Sequence, residues 1–292
     1  MAGDVRIISE GFSLLEAPRW HEGRLFASDF YTRRVVAFDA HGACDTIANV
    51  EGQPSGLGWD RHGRLLISSM MNQKLLRLAS GKLEEVADLS GWCDGPANDM
   101  VVDNEGRAYI GNFGDLEQLG RTSLIRVDLD GTVTKTGGEV FFPNGACITA
   151  DGKTLLLAET FLGRISAFDI APDGQLANRR DWALLGGPDA PSDLGDAIAR
   201  FPILPDGMCL DAENCLWVAC PKSCAAYRIG EGGRILDTVR TGAQGVFSVC
   251  LGGDDGKTLF LCCAAPLGTD DHALVHEATL RACTVAVPAA RS

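Results

Sequence analysis

Short apolar runs recur along this chain, each following a turn residue. Arg64-Leu65-Leu66-Ile67 follows Gly63, Arg107-Ala108-Tyr109-Ile110 follows Gly106, and Lys257-Thr258-Leu259-Phe260-Leu261 follows Gly256. Between turns, segments such as Arg34–Asp39, Leu75–Leu78, Leu124–Asp128 and Arg164–Asp169 alternate or run apolar and end on Asp-Gly or Gly, the pattern of β-strands. No stretch sustains a helical period. Five times a small polar residue stands eight positions before the turn residue: Ser55/Gly63, Asn98/Gly106, Asn144/Gly152, Asp206/Asn214 and Ser248/Gly256. Glu16/Gly23 is one residue shorter. Each unit reads as a hairpin with a polar residue at its mouth.

The turns at 23, 63, 106, 152, 214 and 256 are spaced by 40, 43, 46, 62 and 42 residues, a period that belongs to propeller blades. Six such units predict an all-β, six-bladed β-propeller, a single domain spanning residues 1–292, with the six polar side chains converging on one axis. The long fourth interval holds a polar, Pro- and Gly-bearing insertion over about 186–201, with a helical turn expected near 193–199; it should lie on a rim and edge a pocket. Val5-Arg6-Ile7-Ile8 has no hairpin partner nearby, and the chain closes on a strand over 279–285. Pairing of these two termini would close the ring and remove its exposed edges.

The net charge of −13 excludes a nucleic-acid partner, because phosphate neutralisation needs clustered Lys and Arg. It also opposes anionic membranes. No apolar stretch reaches membrane-spanning length, and residues 1–6 lack a basic region followed by an apolar core; a cytoplasmic protein is expected. Eleven cysteines form an odd set without paired CxxC elements, which points to buried core thiols rather than disulfides or zinc. The vicinal Cys262-Cys263 should point to opposite faces of a strand, and Cys215, Cys220 and Cys224 make the closest cluster. His21, His41 and His62 fall in hairpin turns, where exposure is expected. His272, near the mouth, is a minor acid/base candidate, and no Gly-x-Ser-x-Gly elbow supports a serine hydrolase.

Among the axial positions, Glu16, Asn98, Asn144 and Asp206 offer hard oxygen ligands: two carboxylates and two amide carbonyls. Such a set suits Ca²⁺, Mg²⁺ or Mn²⁺ and can hold Zn²⁺. Ser55 and Ser248 offer weak hydroxyl ligands, leaving one side of a bound cation open, as a Lewis-acid catalyst requires. Met70, Met71, Trp92, Phe113 and Phe161 stand at or just beyond strand ends around the mouth. If they line it, the pocket is less polar than a sugar site.

The segments Leu15-Glu16-Ala17-Pro18-Arg19-Trp20, Asn98–Asp103, Phe142-Pro143-Asn144-Gly145 and Pro205–Asp211 occur in the order typical of the SMP-30/gluconolactonase/luciferin-regenerating-enzyme-like family, which the chain resembles over residues 8–264. The resemblance implies a six-bladed propeller with one divalent cation, ligated by Glu16, Asn144 and Asp206. It places Asn98 where metal or substrate is contacted, gives Asp206 the role of general base, and puts a substrate-binding acid near Asp115. Residues 115–121 form a candidate lid. Many sugar-lactonase members carry an arginine where this chain has Pro96. The expected activity is therefore hydrolysis of a lactone or cyclic ester less polar than an aldonolactone, by a monomer or weak homo-oligomer. A metal-dependent isomerase, dehydratase or other ester hydrolase, and a non-catalytic calcium- or partner-binding propeller, are the alternatives.

Overall fold

The turn residues that set the period all adopt the left-handed conformation: φ is +77° at Gly23, +72° at Gly63, +82° at Gly106, +70° at Gly152, +57° at Asn214 and +70° at Gly256. Glycine, and next to it asparagine, enters this region with least strain. Several turns are reinforced by an aspartate three places earlier. The Asp60 carboxylate accepts from the backbone N–H of His62 at 2.9 Å and of Arg64 at 3.0 Å, and Asp103 and Asp211 do the same for the residues two and four places on, one and three blades later.

In this computed structural model, which describes residues 3–39, 42–187, 189–268 and 272–290, the hairpins assemble into six four-stranded antiparallel sheets. Five sheets use four consecutive strands each. The innermost strands are Leu15–His21, Pro54–Trp59, Ala97–Val102, Pro143–Ile148 and Met208–Leu210 for blades 1 to 5. Blade 6 combines Gly245–Gly252, Thr258–Ala264 and Ala278–Thr284 with the N-terminal strand Arg6–Phe12 as its outer edge, so the two ends of the chain pair as expected. Inner strands of successive blades touch, and blade 6 touches blade 1. The ring is closed.

The core lies between blades. Six apolar clusters correspond to the six interfaces: Ala17, Val35 and Val50 meet Leu57 and Ile67 between blades 1 and 2, and Phe12, Leu15 and Phe38 meet Cys262 and Leu280 between blades 6 and 1. Cys262 and Cys263 indeed fall in different clusters, on opposite faces of one strand. All eleven cysteines are unpaired. The insertion folds into one α-helix, Leu194–Arg200, whose Asp193 cap accepts from Asp196 N–H at 2.8 Å. Phe201 then packs so tightly on Gly186 that a Cβ there would lie 2.7 Å from its ring. This anchor leads the chain through Ile203 and Leu204 to Asp206. Among the described residues no helix is long and apolar enough to cross a membrane. His41 lies outside the described residues, and His62 is exposed. His21 is not simply exposed as expected: it is half-buried and stacks on Trp59 with ring centroids 4.0 Å apart.

Candidate metal centre on the propeller axis

The polar heads of the blades occupy irregularities in the inner strands. In blade 3, Ala97 pairs with Asn112 and Met100 with Ile110, so Asn98 and Asp99 together oppose Gly111. The same two-against-one bulge holds Ser55-Gly56 in blade 2 and Asn144-Gly145 in blade 4. In blade 5, Asp206 N–H donates to Ala219 O and Ala219 N–H to Gly207 O, both at 3.0 Å, which makes the equivalent bulge. A bulge re-aims a side chain out of the strand's alternation. The two remaining blades differ. Glu16 pairs with Ser28 just before a bulge at Ala17-Pro18, and in blade 6 the extra residue is Phe247, so that Ser248 stays in the ladder opposite Cys262.

Around the axis the heads connect blade to blade. The Ser55 hydroxyl donates to Asn98 Oδ1 at 3.4 Å, and Asn98 Nδ2 donates to Pro143 O at 3.3 Å. Asn144 Nδ2 donates to Thr160 Oγ1 at 3.3 Å, and its amide also hydrogen-bonds the Asp206 carboxylate. Glycines after three of the heads press on the next blade. A Cβ on Gly56 would lie 2.4 Å from Met100 N, one on Gly145 2.6 Å from Asp206 O, and one on Gly207 1.9 Å from Ser248 Oγ. Ser248, 1% exposed, therefore serves packing, and its hydroxyl has no hydrogen-bond partner among the described residues.

In blade 3 the place held by those glycines is taken by Asp99. Its Oδ1 accepts from Arg19 Nη2 at 2.7 Å and from Met100 N–H at 2.8 Å. The Asp99 carboxylate thus lies near enough for its field to act on both Glu16 and Asp206. Burial, followed by the fields of Asp206 and Asp99, holds the Glu16 carboxyl well above the ordinary glutamate range, although Ala17 N–H and Arg19 oppose the shift. Burial and then Asp99 do the same to Asp206 against the Gly207 N–H and the Asn144 amide. Glu16 is half-buried, whereas Asp206 is buried. Sequence reasoning singled out Asn98 and missed its neighbour. The available signal was an aspartate where the repeat otherwise reads Ser-Gly, Asn-Gly and Asp-Gly.

The residues predicted to line the mouth divide. Phe113, Phe142 and Phe161 form a half-buried aromatic series, with centroids 5.0 and 4.7 Å apart. Phe247 joins Phe30 and Met70 in the cluster on which Phe113 packs. Met70 is buried there, whereas Met71 and Trp92 are exposed. Asp115 does not join the axial set: it caps the 3-10 turn Leu116–Gln118, accepting from Glu117 N–H at 3.0 Å and Gln118 Nε2 at 2.6 Å. The His272 ring stands edge-on to Phe247, 5.4 Å between centroids. A concavity of about 970 Å³ lies among turn residues such as Glu105, Asp130 and Lys153, and none of the axial heads lines it.

The axial donors suit a hard divalent cation. Two desolvated carboxylates, half-buried Glu16 and buried Asp206, stand with their ionised forms under-compensated beside amide oxygens, and Glu16 accepts one long hydrogen bond, 3.4 Å from Ala17 N–H. A cation would relieve their desolvation. Among the described residues no three His, Cys, Asp or Glu side chains gather as a metal cluster; the donor set here is a carboxylate and amide mixture instead.

Comparison with known proteins agrees with the propeller fold. The chain is 26% identical to regucalcin of Gallus gallus over 268 residues, 88% of this chain and 85% of that one. It is 26% identical to pentonolactonase XacC of Haloferax volcanii over 263 residues, 89% and 84% of the two chains. The luciferin-regenerating enzyme shares the fold, with a TM-score of 0.80 at 18% identity over 98% of this chain and 97% of that one. The SMP-30/Gluconolactonase/LRE-like region model matches residues 14–265, from just before Glu16 to just beyond blade 6's second strand. The chain is a member of the SMP-30/gluconolactonase/LRE-like family.

Proposed function

We propose that this protein is a divalent-cation-dependent hydrolase that opens a lactone less polar than a sugar lactone. The observation that carries the reading is the pair of desolvated carboxylates, half-buried Glu16 and buried Asp206, beside an aromatic series. Glu16, Asn144 and Asp206 would hold the cation, with Ca²⁺, Mg²⁺, Mn²⁺ and Zn²⁺ all compatible with oxygen donors. When bound, it supplies Lewis acidity to the ester carbonyl. Asp206 accepts a proton from the attacking water, whose oxygen bonds to the carbonyl carbon. The acyl–oxygen bond then breaks and the proton passes to the departing alkoxide, giving a hydroxy acid. Asn98 Nδ2, which donates to Pro143 O, would turn to the charge that develops on the carbonyl oxygen.

The mouth supports the substrate class. Half-buried Phe113, Phe142 and Phe161 offer aromatic surface, and Pro96 stands where many sugar-lactonase relatives carry arginine. A pentonolactonase among the relatives supports lactone chemistry, and a regucalcin of Agrobacterium tumefaciens described as a calcium-binding protein keeps a non-catalytic cation binder as the alternative outcome. The test measures bound metal, then follows proton release from sugar and alkyl- or aryl-substituted lactones with the wild type, Glu16→Gln and Asp206→Asn. Turnover of the apolar lactones, lost in both folded variants and on chelation, is expected. Activity that survives chelation and both substitutions overturns the site, and tight cation binding without turnover of any lactone favours the non-catalytic reading.

A further inference from the structure

Arg19 is three residues beyond Glu16 on the same inner strand, and its guanidinium crosses from blade 1 to blade 3. Nη2 donates to Asp99 Oδ1 at 2.7 Å and to Met100 O at 2.8 Å, while Nη1 donates to Pro18 O at 3.0 Å. Arg19 also borders an apolar axial cavity of about 230 Å³ on the far side, which is lined by Cys147, Met208 and Cys250 and reaches Ala289 and Ala290. The guanidinium therefore forms the floor between the polar centre and that cavity. Its field reaches Glu16, and Asp99 lies within reach of both Glu16 and Asp206. Three carboxylates and one guanidinium leave two negative charges uncompensated.

We infer that the Arg19–Asp99 ion pair is the charge-setting floor of the cation site, matching the centre to a divalent rather than a trivalent ion. This rests on the cation site proposed above. Asp99 contributes a negative charge that Arg19 cancels, so the pair fixes geometry and charge without supplying a free ligand. Removing the guanidinium alone leaves a third uncompensated carboxylate. A unit change of charge a few ångströms from a partly buried ion alters its affinity by more than about tenfold, and a trivalent ion gains more than a divalent one.

Lanthanum(III) resembles calcium in size and in its preference for oxygen, so the ratio of their affinities reports charge rather than fit. Calorimetric titration of both ions into the wild type, Arg19→Met, Asp99→Asn and the double variant Arg19→Met/Asp99→Asn tests the inference, with circular dichroism verifying the fold. The La³⁺/Ca²⁺ affinity ratio is expected to rise about tenfold or more in Arg19→Met, to fall in Asp99→Asn, and to return near the wild-type value in the double variant. An unchanged ratio in folded Arg19→Met, or a rise that persists in the double variant, overturns it. Where Arg19→Met fails to fold, Asp99→Asn decides: a ratio that does not fall is a refutation. A wild type that binds neither ion refutes the cation site itself, an outcome distinct from binding with an unmoved ratio.

Discussion

Replacing Asp206 with asparagine should stabilise the cation-free protein at neutral pH while abolishing its turnover. The Asp206 side chain is buried, 7% exposed, and burial with the nearby Asp99 raises its pKa above the usual aspartate value despite two hydrogen-bond donors. A carboxyl group whose folded pKa is raised contributes most stability in its protonated form. That contribution is complete below the unfolded pKa of about 3.9 and is lost as pH rises through the folded value, at up to about 1.4 kcal/mol per pH unit. Asparagine has the same shape and no charge to desolvate, so it escapes the loss. About 1 kcal/mol corresponds to roughly 2–4 °C in Tm for a chain somewhat smaller than this one. In chelator at pH 7.5 the variant should therefore melt a few degrees above the wild type, and the gap should close towards pH 4. With Ca²⁺ at a hundred times its Kd the wild type gains about 2.7 kcal/mol, which the variant cannot match, and the order inverts. Scanning calorimetry at pH 4, 6 and 7.5, with and without Ca²⁺, reads all of this. A variant that melts below the wild type in chelator at pH 7.5 would show that Asp206 is satisfied by the protein itself, and the cation argument would lose its physical basis.

Glu16→Gln should weaken Ca²⁺ binding by at least about tenfold in calorimetry, since a unit charge beside the ion is removed; an unchanged Kd contradicts the assignment. Phe161→Ser should raise KM for an aryl-substituted lactone by about tenfold or more, from the loss of apolar contact worth about 1.5–3 kcal/mol when complete, while kcat/KM for an unsubstituted lactone stays within about twofold. Equal losses on both would place Phe161 in packing alone. Gly207→Ala should lower stability by about 1–3 kcal/mol in urea unfolding, because its Cβ would meet the buried Ser248 side chain and backbone, as near as 1.9 Å. A neutral result would mean blades 5 and 6 separate more easily than their packing indicates.

The propeller was legible because its period rests on local chemistry. Each turn needs a left-handed residue at a fixed place, and glycine or asparagine stands there. Ring closure was legible because a strand without a neighbouring partner must find one elsewhere, and Arg6–Phe12 finds Ala278–Thr284. The polar heads were legible as a set but not as equals. Counting eight residues treats Ser248 like Asn98, whereas the blade 6 bulge falls at Phe247, and bulge position depends on cross-strand packing that spacing does not encode. Asp115 looked available in sequence because nothing there shows a local cap, yet its carboxylate closes the 3-10 turn that follows. The Arg19–Asp99 pair joins residues 80 apart. Their contact follows from the ring's curvature, which brings the inner strands of blades 1 and 3, second neighbours, together near the axis.

The closure of blade 6 also has a consequence in time. Arg6 precedes its partner Ala282 by 276 residues, so during synthesis at about 5–20 residues per second the strand Arg6–Phe12 waits roughly 14–55 s for its neighbour. Through that interval it is a free β-edge beside the ribosome, the kind of surface that captures other nascent chains. Its make-up suits the wait: Arg6, Ser9 and Glu10 interrupt the apolar residues, and of its seven positions only Phe12 is buried even in the finished ring. The strand that completes the last blade is thus written for solubility first and packing second.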